Sequence, residues 1–244
     1  MRALLVLLAV VGGWQAYVSL GGVDELLLPA PSAIATALVD DRALLWSNFV
    51  VTAGEIALGI GAALVGGLAA AVAIHLCGPV RRSLYPLLVT SQTIPIPLVA
   101  PLLVVWFGYD LMPKVAIVAL VCLFPIVVST LDALSRSDAD LHKLMRSFGA
   151  SRLQTFQLVE APAALPGLIT GAKLSLAFAG IAAILAEWSG SENGLGHLVL
   201  QALPQFETAR AYAGVLVLAA FSVALFGALS LAERRLVPWA QANR

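Results

Sequence analysis

Long apolar runs, each broken by a short polar or turn-forming stretch, set the rhythm of this chain. A helix needs about 20 mostly apolar residues to cross a hydrocarbon core. Residues 3–20, 56–76, 84–109, 115–131 and 211–232 meet or approach that length. A sixth run, 165–186, qualifies once Lys173 is allowed near its end, where a long stem can carry the ammonium to the interface. Membrane-spanning strands would instead alternate over segments of about ten residues. The pattern predicts an all-α, polytopic membrane protein, one transmembrane domain over residues 1–244 with about six spanning helices.

Between the fourth and fifth runs the pattern changes. Within residues 134–164, Leu141, Leu144, Met145 and Phe148 fall at i, i+3, i+4 and i+7, one stripe of a helix. Gly149 then supplies a residue that takes positive φ cheaply and ends that helix. Ser151, with Gln154 three positions on, reads as a capping box opening a second helix, whose Leu153, Phe156 and Val159 form a new apolar edge before Pro162 stops it. Two short amphipathic helices joined at a glycine are too short to span. Such an element suits a groove on a partner protein or a bed among lipid headgroups.

Three further irregularities carry candidate chemistry. The third run contains SQTIPIPLVAP, in which Pro95, Pro97 and Pro101 adjoin Ser91, Gln92 and Thr93. Proline at that depth frees carbonyls and kinks the helix, so this is either a polar-edged pore wall or a packed kink with hydroxyls bonded back to the backbone. Glu187 and Trp188 close the fifth run as interfacial anchors or as contacts for cargo at the outer mouth. Gly167 and Gly171 stand at the GxxxG spacing that permits close helix approach, as do the small residues of AALVGGLAAA.

Composition agrees: 60% of residues are hydrophobic, 11% are charged and mean hydropathy is +0.94, where a soluble domain has about 25% charged residues. Net charge is zero, so nothing points to nucleic acid. The cations are unevenly placed. Six crossings can put Arg2, Arg81, Arg82, Arg136, Lys143, Arg146, Arg152, Lys173, Arg234, Arg235 and Arg244 on one side, leaving Arg42, Lys114 and Arg210 on the other. The positive-inside rule makes the first side cytoplasmic, with both termini. Residues 3–20 lack a clear A-x-A cleavage site and read as a retained first helix rather than a signal peptide. Cys77 and Cys122 lie in apolar runs with no CxxC spacing, and His75, His142 and His197 form no HExxH, so no metal site is expected. GLITGAK has the wrong spacing for a phosphate loop and no nucleophile elbow occurs, so no nucleotide site or catalytic residue is expected either.

KLMRSFGASRLQTFQLVEAPAALP resembles the EAA loop of inner-membrane permease subunits of binding-protein-dependent ABC importers of the type I fold. Gly149 matches the central glycine of that loop, and APAALP at residues 161–166 is similar to its LPAALP. Lys143, Leu144 and Met145 stand where the family has Glu-Ala-Ala, a departure that weakens transfer of any role of the glutamate. The likeness covers nearly the whole chain: LLLPAPSAIATAL resembles the outer LPSPSAV-type segment, SQTIPIPLVAPLLVVWFG the proline-rich third helix, and AEWSGSENGLGHLV the AEx-loop-GLG stretch. Within the family the pattern is similar to the alkanesulfonate, taurine, nitrate and thiamine-precursor group, and SQTxP, WFGxxLxPK and LMRSFGAS most resemble the hydroxymethylpyrimidine branch.

The resemblance implies a permease in the bacterial inner membrane that takes up a small polar solute, a thiamine-precursor pyrimidine or else an alkanesulfonate, taurine or nitrate. It implies a homodimer in membrane lipid, two separate ATPase subunits that bind the ATP, and a periplasmic or lipid-anchored binding protein, with no cofactor in this chain. Met145, Arg146, Ser147, Phe148, Gly149, Ala150, Ser151, Arg152, Thr155 and Phe156 would form the coupling element against the ATPase. Ser91, Gln92, Thr93, Pro95, Pro97, Ser175 and Glu187 would line the translocation path. Two readings of other classes compete: an ion-coupled secondary transporter, which would place charged pairs at the midplane, and a vitamin-binding membrane module that binds cargo unaided. Against the first, the span interiors carry few ionisable groups, with Glu55, Glu187 and Lys173 near span ends.

Overall fold

The computed structural model describes residues 2–240; Arg244, one of the cations assigned to the inner side, lies outside them. Among the described residues there is no strand. Helix α1 (Arg2–Leu20) leads through a turn to α2 (Pro31–Asp40) and then α3 (Arg42–Leu76). Helices α4 (Gly78–Ser91) and α5 (Ile96–Phe107) follow, then α6 (Leu111–Ser135), α7 (Ala139–Ser147) and the single turn α8 (Arg152–Thr155). A π-helical segment, Phe156–Glu160, carries the chain without interruption into α9 (Ala161–Trp188), after which come α10 (Leu195–Ala202) and α11 (Thr208–Leu236).

Arg42–Leu76, Leu111–Ser135, Arg152–Trp188 and Thr208–Leu236 are each long and apolar enough to cross a membrane, and the bent pair α4–α5 makes a fifth span. The shorter apolar α1 coincides with the first expected run. The bundle therefore has two distinct ends, one bearing α7 and α8 and the other bearing α10.

Three boundaries depart from the hydropathy pattern. The second span begins at Arg42 rather than near residue 56, because Ser47, Asn48, Thr52 and Glu55 depress the hydropathy of a stretch that is nonetheless helical. At 35 residues α3 is about 50 Å long, well beyond a hydrocarbon core of about 30 Å. The third run is two helices bent by 105° across residues 92–95. Pro95 and Pro97 cannot donate to a continuing ladder, so Gln92, Thr93 and Ile94 fall back on tight bonds to Val89, Thr90 and Ser91. Pro162, finally, ends nothing. In the π segment the Ala161 N–H reaches Phe156 O five residues back, and proline at the next position opens α9 where its missing donor is tolerated.

The core is α6 packed along both α3 and α9. Close approach rests on residues without side chains. A Cβ on Gly171 would sit 2.7 Å from Pro125 O and 2.8 Å from Ile126 Cα, and one on Gly167 would meet Ala133 Cβ at 2.4 Å. In the same way Gly67 lies against Ile126 of α6 and Gly59 against Val118. The GxxxG spacing therefore does what small residues do between membrane helices. Around this seam Ile56, Ala63, Ile117, Cys122, Ala179 and Ala183 are buried. Outside it, α1 is held through Trp14 against Tyr212 of α11, ring centroids 6.1 Å apart.

Candidate functional site: an exposed helical element and a broken span

The α7–α8 element is constructed from its caps. The Asp138 side chain accepts from the Asp140 N–H and opens α7. Gly149, at φ +74°, closes it: its N–H donates to Arg146 O and the Ala150 N–H to Met145 O, each at 3.0 Å. That pair of bonds is a Schellman motif, which needs a left-handed residue where glycine stands. The Ser151 and Gln154 side chains then form the reciprocal capping box of α8. The capping signals at Gly149, Ser151 and Gln154 are realised.

What the element presents is apolar. Phe148 is 77% exposed and Leu153 57%, with Leu141 and Leu144 exposed beside them, and no residue of α7 is buried. Arg146, Ser147 and Arg152 are exposed on the same element, whereas Met145 and Ala150 are half-buried. Thr155 and Phe156 do not join this surface. Thr155 is buried, its hydroxyl donating to Ser151 O at 3.1 Å, and the Phe156 ring faces His75 with centroids 6.3 Å apart.

The second feature is the break between α4 and α5. A cavity of about 390 Å³ opens there, lined by Ser91, Gln92 and Pro95 together with Ile94, Ile117 and Val121. Ser91 Oγ donates to Leu88 O at 2.7 Å and Thr93 Oγ1 to Thr90 O at 2.8 Å, so both hydroxyls are committed to the backbone. Gln92 is different: its side chain is exposed and makes one long bond, 3.3 Å to Ser91 Oγ. It offers an amide acceptor and donors to whatever passes.

Two residues expected on the path, Ser175 and Glu187, are buried inside the bundle. Ser175 is fully buried, its hydroxyl donating to Cys122 O at 2.7 Å, and it pins α9 to α6. Glu187 is 1% exposed, not at an interface. One carboxylate oxygen accepts from Thr52 Oγ1 at 2.6 Å, and the other from the backbone N–H groups of Gly196, 2.6 Å, and His197, 3.1 Å. A carboxylate on the first turn of α10 meets the unsatisfied N–H groups and positive end of that helix. Gly194 stands at φ +121°, and a Cβ there would lie 2.3 Å from that carboxyl group, so the glycine before Leu195 follows from the position of Glu187. Trp188 anchors the same helix by donating from Nε1 to Gly196 O at 2.9 Å.

Sequence reasoning missed two buried charge clusters. Glu55 is fully buried inside α3, 3.5 Å from Nζ of the buried Lys114; it had been assigned to a span end only because α3 was cut short. Glu160, 1% exposed on the π segment, holds His75, His142 and Arg152. Both carboxylates stand out as charges in apolar stretches, but the partner each meets from another span, Lys114 for Glu55 and His75 for Glu160, is distant in sequence. Among the described residues no cluster of His, Cys, Asp and Glu is arranged to hold a metal ion.

A bundle of apolar spans, one of them broken beside a cavity, with a rigidly capped apolar element projecting from one end, defines a multi-pass membrane protein with the architecture of a transport permease. The chain belongs to the family described as binding-protein-dependent transport system inner membrane components, which its residues 62–238 match. It is 33% identical over 214 residues to the formylaminopyrimidine transport permease protein ThiX of Halalkalibacterium halodurans, covering 87% of this chain and 86% of that one. It is 34% identical to the riboflavin transport system permease protein RibX of Chloroflexus aurantiacus, covering 93% and 85%, and 29% identical to the taurine transport system permease protein TauC of Escherichia coli, also covering 93% and 85%. Its fold is that of an amino acid ABC transporter chain, with a TM-score of 0.65 at 17% identity over 82% of this chain and 98% of that one. The inward-facing methionine ABC transporter MetNI matches equally well, with a TM-score of 0.65 at 19% identity over 81% and 96%. The protein is a permease subunit of an ABC importer, and ATP hydrolysis belongs to a separate subunit.

Proposed function

We propose that two copies of this chain form the membrane core of an inner-membrane importer for a substituted pyrimidine of the thiamine-precursor class. The α7–α8 end faces the cytoplasm, where each copy seats its element in a groove of an ATPase that carries the ATP; this chain binds no cofactor itself. A periplasmic or lipid-anchored binding protein delivers cargo to the α10 end. The observation that carries this reading is the element itself: Phe148 and Leu153 are held outward by a Schellman motif and a capping box, an arrangement suited to helix-in-groove recognition. Closure of the ATPases would draw the two elements together, and the continuous helix from Arg152 to Trp188 would carry that motion into the span, as rigid-body switching requires.

The path runs beside the α4–α5 break, with Ser91, Gln92, Thr93, Pro95 and Pro97 at its wall. The cavity lining carries no charged side chain, which fits a neutral heterocycle that exchanges hydrogen bonds with the Gln92 amide better than it fits a sulfonate. The similarity to a formylaminopyrimidine permease supports the same class. Uptake of labelled 4-amino-5-hydroxymethyl-2-methylpyrimidine and of labelled taurine, in cells lacking this gene and in cells with it restored, tests the cargo. Pyrimidine uptake should return with the gene; return of taurine uptake alone would keep the permease and overturn the cargo. Phe148→Asp should weaken ATPase docking by about 30-fold, the effect of losing an interface hot spot of about 2 kcal/mol, and abolish uptake while the permease stays folded.

A further inference from the structure

No side chain of α7 is fully buried, so apolar packing contributes little to holding this helix against the bundle. Its firm tie is polar and converges on one atom group. The Glu160 carboxylate is 1% exposed and takes His142 Nε2 of α7 at 2.8 Å, Arg152 Nη1 of α8 at 2.5 Å and His75 Nε2 from the last turn of α3 at 2.7 Å. The carboxylate lies on the π segment that joins α8 to α9. Four elements therefore meet at a single buried anion through charge-assisted bonds, the strongest kind available to side chains. The adjacent π turn, with the Phe156 ring tilted 37° to that of His75, makes the junction a place where the helix has been adjusted rather than a passive bend.

We propose that Glu160 is the positioning residue of energy coupling: it locks the α7–α8 element to α3 as well as α9, so that displacement of the element moves both spans as one body. This role rests on the docking proposed above for the α7–α8 element. Without the carboxylate, the element would lose its ionic tie to the end of α3, and its motion would reach α3 mainly through the packing of α6 and α9. Glu160 would then determine how much of the ATPase motion reaches the core seam of α3, α6 and α9.

The test is cargo transported per ATP hydrolysed, measured on the assembled transporter in proteoliposomes together with its thermal stability. Glu160→Gln removes the charge, and His142→Leu cuts the tie to α7 at a half-exposed position that leaves the span interior untouched. Both should lower cargo per ATP about tenfold, within the ordinary range of coupling free energies, while basal ATP hydrolysis continues. The double variant should lose no more than the worse single one, since both act through one contact. His142→Gln, which can still donate to Glu160, should restore much of the loss. A purely structural role would instead reduce the amount of folded transporter and leave cargo per ATP unchanged. Should Phe148→Asp uncouple the transporter while Glu160→Gln and His142→Leu keep the wild-type ratio, the role of Glu160 falls and the docking stands; should Phe148→Asp also keep that ratio, the docking itself falls.

Discussion

His142 has an acceptor against each ring nitrogen: the Asp138 carbonyl lies 2.8 Å from Nδ1 and a Glu160 carboxylate oxygen 2.8 Å from Nε2. A neutral imidazole donates from only one nitrogen, so only the cation satisfies both. The bond to the Asp138 carbonyl, then that to Glu160, raises the His142 pKa above its ordinary value, against the nearby positive charge of Arg152. The group that faces it from α3, His75, is likewise drawn to the carboxylate. A raised folded pKa means that the stabilisation is fully present below the unfolded value of about 6.5 and is lost as pH rises through the folded value. The thermal stability of the wild type should exceed that of His142→Gln most at about pH 6, and the gap should close at alkaline pH. A gap that widened with pH would show that His142 is held neutral. Such residues divide sharply in legibility. Gly149, Ser151 and Gln154 were readable because their partners lie within a turn of them. Glu187 was not, because the hydroxyl it accepts from belongs to Thr52, 135 positions away, and no local pattern records that contact.

At the scale of elements the hydropathy pattern located each helix long and apolar enough to span but misjudged where three of them start, stop or break. Polar residues that face a neighbouring helix, such as Asn48 and Thr52, look like a span boundary when only composition is read, though a buried polar group with a partner costs little. The glycine pattern was more dependable, because close approach excludes every other side chain. Helices α6 and α9 therefore give an element-scale prediction of opposite signs. Alanine is favoured over glycine in a helix by about 1 kcal/mol, and Gly13 of α1 has nothing within 4 Å of a built Cβ, so Gly13→Ala should leave thermal stability equal or raised. Gly171→Ala meets backbone atoms of α6 at 2.7 and 2.8 Å; backbone cannot rotate away as a side chain can, and overpacking of this kind costs about 1–3 kcal/mol. It should lower the unfolding temperature of the detergent-solubilised protein, and an unchanged temperature would mean that the α6–α9 seam is looser than described.

For the whole molecule the question is which way the bundle faces. The α7–α8 end carries Arg146, Arg152 and, through α11, Arg234 and Arg235, whereas the α10 end has its Arg210 already paired with Asp41 at 2.7 Å. Cations thus accumulate at one end, and under the positive-inside rule the proposed orientation sets that end in the cytoplasm. The same orientation puts the exposed Phe148 and Leu153 where an ATPase can reach them and the Glu187-capped α10 where a binding protein can. The arrangement can be read directly by labelling. Cys122 is buried and Cys77 exposed, so a Cys77→Ala background accepts single reporters at Ser147→Cys in α7 and Glu192→Cys in the turn before α10, both exposed positions. In intact cells whose outer membrane has been permeabilised, a membrane-impermeant maleimide should modify the reporter at position 192 at once, and the one at position 147 only after the inner membrane is opened. The reverse order would turn the bundle over, set α7 and α8 on the side that holds no ATP, and remove the docking surface from the coupling mechanism.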